Sequence, residues 1–69
     1  MVRSFRLVID NVDDETTVYE EYYITDTALS AEQRLSDLWN EKCAHMPGRG
    51  YRAQMFEPDS SVASHTIEG

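Results

Sequence analysis

A single stretch of helical periodicity lies between two stretches of strand-like alternation, and that arrangement limits the chain to very few folds. Ser30-Ala31-Glu32-Gln33 has the form of a capping box: the serine oxygen can accept from an early helix amide while Gln33 reaches back to the cap. Leu35, Leu38, Trp39, Lys42 and Met46 follow at helical spacing, flanked by Ala31 and Cys43. One stripe can therefore face a sheet while Glu32, Asp37 and Glu41 face water. Lys42 can bury its stem and keep its amine outside. Pro47-Gly48-Arg49-Gly50 stops the helix, because proline cannot continue the hydrogen-bond ladder and glycine accepts the left-handed conformation beyond a helix end. The helix is expected over residues 30–46.

Before it, Phe5, Leu7 and Ile9 alternate with Ser4, Arg6 and Val8, as in a half-buried strand. Asp10 to Glu15 is rich in residues that bond their own backbone in turns. Thr16 to Thr25 then gathers threonine, valine, tyrosine and isoleucine, the composition of a pleated surface. The two strands make an acidic hairpin over 2–25. The inward face of the second strand stays open: Val18, Tyr22 and Ile24 share a face with Glu20, while Tyr19 and Tyr23 share one with Glu21. A bulge near Glu20-Glu21 would resolve it. After the helix, Tyr51–Phe56, the turn Glu57-Pro58-Asp59-Ser60 and Val62–Ile67 give a second hairpin over 51–67, with a disordered tail as the alternative for its last strand. The expected fold is α+β, of order ββαββ: one domain over residues 1–69, a small antiparallel sheet with one helix packed on one face. Each hairpin has an arginine in its first strand (Arg6, Arg52) and an isoleucine near the end of its second (Ile24, Ile67), a likeness read as hairpin grammar.

At 69 residues the core is thin, and Cys43 is the only cysteine, so no internal disulfide can reinforce it. A lone cysteine suits a reducing compartment, and neither a signal peptide nor a membrane-length apolar run is visible, so the expected location is cytoplasmic. Thirteen acidic against six basic residues give a net charge of −7. That disfavours direct binding to nucleic acid or an anionic membrane and points to a basic partner surface. Residues 1–26 alone carry seven acids and two arginines, a balance of −5, whereas 27–50 balance at zero.

The residues that could carry chemistry have simpler readings. Asp10, Asp13, Asp14 and Glu15 are hard oxygen donors, but they lack the glycine and distal glutamate of a calcium loop and read as a solvated hairpin end. Cys43 and His45 point about 200° apart on a helix, and His65 is distant, so neither a zinc site nor a cysteine nucleophile is expected. Gly48-Arg49-Gly50 follows a helix instead of preceding one, which suits a C-cap and not a phosphate cradle. Arg49 is expected at the tip of that loop as a partner contact. Phe5, Trp39 and Tyr22 are expected in the core, and Tyr19, Tyr23 and Phe56 on the outer sheet face.

No enzyme activity, cofactor or metal is expected. The expected function is a non-catalytic acidic interaction module that docks on a basic macromolecular surface, as an inhibitor of the kind small acidic phage and mobile-element proteins supply. Asp13, Asp14, Glu15, Tyr19, Glu21, Tyr23 and Arg49 are its candidate contact residues. The alternatives are a homo-oligomeric structural protein, including a homodimer with no other ligand, and nucleic-acid mimicry. Mimicry has the spacing, about 6.6 Å between side chains i and i+2 of a strand, but too few aligned acids.

Overall fold

The computed structural model describes residues 1–42 and 50–68. Its elements run β1 (Arg3–Asn11), β2 (Thr16–Thr25), α1 (Ala28–Lys42), β3 (Tyr51–Phe56) and β4 (Ala63–Glu68), the expected α+β order. The sheet is four-stranded and antiparallel, in the order β2-β1-β3-β4. The two hairpins thus lie symmetrically about the β1–β3 ladder, with Arg6 and Arg52 each two residues from the Val8↔Gln54 pair.

Alternation along β1 decides the layers. Phe5, Leu7 and Ile9 are fully buried against Leu35 and Leu38 of α1, and Ala53 and Met55 of β3 join them. Trp39 and Ala28 pack on the rim of this cluster. The other sheet face has no helix among the described residues, as antiparallel sheets allow.

The helix begins one turn earlier than the capping box suggests. Thr27 is the cap: its Oγ1 accepts from the Ser30 amide at 3.2 Å and lies 2.8 Å from the Ser30 hydroxyl, which places Ser30 inside the first turn. The expected end of the helix at 46 and residues 47–49 of its expected cap, together with Cys43, His45 and Arg49, lie outside the described residues. The Lys42 amine sits over the Tyr19 ring, 4.2 Å from its centre.

A bulge settles which face of β2 is inward, at a different place from the one expected. The hairpin starts with Asn11↔Thr16 and Asp10↔Thr17, then skips Val18 to resume at Ile9↔Tyr19. From there Tyr19, Glu21 and Tyr23 pair with Ile9, Leu7 and Phe5 and share the helix side. Tyr19 and Tyr23 are partly buried there against the core, contrary to their expected outward placement. Tyr22 is corrected in the opposite sense, from core to 66% exposed. Phe56 does lie on the open face, yet it is only 8% exposed, because the Arg6 guanidinium covers its ring at 4.4 Å.

Side chains hold the two tight turns. Asn11 Oδ1 accepts from the amides of Asp13 and Asp14, and Glu15 takes a left-handed φ of 56° to close the β1–β2 tip. The Val12 amide donates to the Gly50 carbonyl at 2.6 Å. A Cβ on Gly50 would stand 2.8 Å from the Asp13 carboxylate, so glycine permits this close approach. In the second hairpin the Ser60 amide donates to Glu57, with Pro58 second and Asp59 third at φ 61°, as a type II turn requires. β4 is ordered as a strand, one residue later than expected at each end.

Candidate interaction surfaces

Two neighbouring carboxylates on β2 build different surfaces. Glu21 points under the edge of α1, where Arg34 grips it with both arms: Nε donates to Oε2 at 2.8 Å and Nη2 to Oε1 at 3.0 Å. The Tyr19 hydroxyl donates to the same Oε1 at 2.6 Å. Such bidentate, charge-assisted bonds are the strong kind. They hold the Glu21 carboxyl below its ordinary 4.5: the Arg34 bonds are the largest cause, burial opposes them, and the Tyr19 bond adds a smaller lowering. Conversely, donating to a carboxylate raises the Tyr19 phenol above its ordinary 10.0. The cluster ties helix to edge strand, and its carboxylate is already satisfied.

Glu20 points to the open face. Arg6 reaches it with one nitrogen at 3.2 Å while lying over Phe56, and the β1 register sets Arg6 between Tyr22 of β2 and Phe56 of β3. An open groove of about 590 Å³ runs from this row toward the β3–β4 turn, lined by Ser4, Arg6, Tyr22, Phe56 and Pro58 among others. A second groove, about 510 Å³, runs between β2 and α1 past Glu21, Tyr23 and Arg34. Both are furrows open to solvent.

The other charges follow a pattern. Arg3 meets Glu57 at 3.4 Å and Arg52 meets Asp10 at 3.8 Å, so every described arginine has a carboxylate within the fold. Asp13, Asp14 and Glu15 are exposed at the hairpin tip and have no cation among the described residues; Asp14 accepts from the Asn11 amide group. His65 lies 3.5 Å from Glu32 of α1, a pair that is ionic only when the histidine is protonated.

The structure therefore separates the candidate residues. Asp13, Asp14 and Glu15 form the tip, whereas Tyr19, Glu21 and Tyr23 belong to the helix-side edge, where Glu21 is spoken for by Arg34. Sequence reasoning passed over Tyr22, Ile24 and Arg6 as residues of the open face, where Tyr22 and Ile24 are exposed and Arg6 lies between Tyr22 and Phe56. Their shared even-numbered alternation was the available signal. Among the described residues no three His, Cys, Asp or Glu side chains are grouped to hold a metal, and no helix is long and apolar enough to cross a membrane. No family model matches the chain, and no curated protein or solved structure matches it either.

Proposed function

We propose that the chain is a non-catalytic interaction module that docks the acidic β1–β2 tip on a basic surface of a macromolecular partner. One observation carries the reading: the fold uses its described arginines internally, while the tip carboxylates Asp13, Asp14 and Glu15 are exposed and have no cation among the described residues. Exposed carboxylates beside the exposed Val12 and Val18 make a rim-like surface that steers toward positive charge. Occupying a basic patch excludes the anion that normally sits there, so inhibition by occlusion is the expected mode. Nucleic-acid mimicry is its special case, in which the excluded anion is a phosphate backbone. The lone cysteine supports a cytoplasmic setting.

Affinity capture from nuclease-treated lysate, at low and high salt, tests the proposal. Wild type should recover a basic protein at low salt and lose it at high salt. A variant carrying Asp13→Asn, Asp14→Asn and Glu15→Gln should lose it at both. Equal recovery by wild type and variant would remove the tip from the interface.

A further inference from the structure

The sheet order leaves the outer edge of β2 without a strand neighbour among the described residues. Proteins blunt such edges with lysine, proline, bulges or short length. β2 is ten residues long and holds no Lys, Pro or Gly, and beyond its bulge at Val18 it runs in one unbroken register from Tyr19 to Thr25. A strand laid along this edge presents alternate side chains to two different surroundings. On the open face they meet Tyr22 and Ile24, 66% and 68% exposed. On the helix side they enter the furrow of about 510 Å³ between β2 and α1.

Charge in the furrow selects what can enter it. Glu21 and Arg34 cancel each other there through their two-armed bond. Asp37 remains: it lines the same furrow, is exposed, and has no cation among the described residues. Ser30 and Gln33 beside it are neutral. A strand seated on β2 would draw Asp37 partly out of water, and a carboxylate so covered needs a cation from the incoming chain. An apolar strand supplies none. A second copy of this chain, itself at −7, brings Glu20 and Glu21 on its own β2. At the Tyr19 end the Lys42 amine already occupies the helix side, so the incoming cation belongs at the Tyr23 end.

We propose that β2 takes an extended segment of another protein as an additional strand, one that alternates basic with apolar residues. Lysine or arginine enters the furrow toward Asp37, while β-branched or aromatic residues lie over Tyr22 and Ile24. Backbone pairing supplies the affinity common to any strand, and the two rows of side chains supply the choice among strands. The site lies on the sheet edge and not at the β1–β2 tip, so it stands whether or not the tip docks.

An end-blocked peptide of alternating lysine and valine, as long as the 19–25 stretch, tests this by NMR titration of the full chain. It should bind saturably, shift the amides of 19–25 and add to their protection from hydrogen exchange. A peptide of the same composition in two blocks, lysines then valines, should bind at least about tenfold more weakly, and one with glutamate for lysine should not bind. Asp37→Asn, at an exposed site where circular dichroism should show an unchanged fold, should weaken the alternating peptide by about threefold. The tip variant Asp13→Asn, Asp14→Asn, Glu15→Gln should leave its affinity unchanged. No saturable binding, equal affinity for the block peptide, or indifference to Asp37→Asn overturns the proposal. Binding that moves to 12–17 and vanishes with the tip variant also overturns it. So does protection of 19–25 that grows with protein concentration in the absence of peptide, which would assign the edge to a second copy.

Discussion

Glu20 and Glu21 are adjacent in sequence, carry the same charge and each meets an arginine, yet they belong to different worlds. Under the helix, Glu21 has 19% of its side chain exposed and is held by a two-armed guanidinium and a phenol. On the open face, Glu20 is 42% exposed and makes one bond to an arginine that also covers Phe56. The first pair is geometrically fixed and partly desolvated, where losing one partner strands the other; the second is close to the surface regime, where ion pairs are worth little. A sheet covered on one side only thus gives two energetic scales to one strand, and its covered side is where substitution should be felt.

The strongest way to break that contrast is at β1, where Leu7 and Val8 point to opposite faces. Leu7→Ala empties a fully buried site and should cost about 3 kcal/mol in urea denaturation. Val8→Ala removes two methyl groups from a face that water can refill, and about 1.5 kcal/mol is expected. Equal costs would mean that the open face is covered in solution, as by a bound partner. A smaller contrast should separate the carboxylates: Glu21→Gln should cost about 1 kcal/mol at neutral pH, and Glu20→Gln no more than about 0.5. Reversed values would show that Arg6, not Arg34, anchors the edge strand.

Acid titration sharpens the same comparison at the smallest scale. The Glu21 carboxyl titrates lower in the folded chain than its ordinary 4.5, so its contribution is fully present above that value and is lost as pH falls through the folded one. Stability of the wild type should fall more steeply than that of Glu21→Gln in this window, and the two curves should converge below it. Parallel curves would show that Glu21 gains nothing from Arg34.

What sequence alone conveyed about this contrast was uneven. Phe5, Leu7 and Ile9 announce their face because their neighbours Ser4 and Arg6 are polar, and the stripe of Leu35 and Leu38 announces the helix for the same reason. β2 was illegible in phase, since each of its faces offers tyrosine and one glutamate. The tie is broken by Arg34 on the helix and by an extra residue within the strand, at Val18. The tip acids were legible as exposed, because turns built by Asn11 need no tertiary partner. Tyr22 misled because a large aromatic ring suits a core, and only the register exposes it.

That extra residue acts as a phase switch for the strand. Continuing the initial pairing of Asn11↔Thr16 without the skip would place Val18, Glu20 and Tyr22 opposite Ile9, Leu7 and Phe5, since a shift of one residue turns every side chain over. Ironing out the bulge with Val18 retained would therefore transpose the strand, carrying Glu20 beneath the helix and turning Glu21 away from Arg34, with Tyr19 and Tyr23 out in water. Deleting Val18 would instead leave Tyr19, Glu21 and Tyr23 opposite Ile9, Leu7 and Phe5, so that one unpaired residue, and not the sequence of the strand after it, decides which surface each side chain joins.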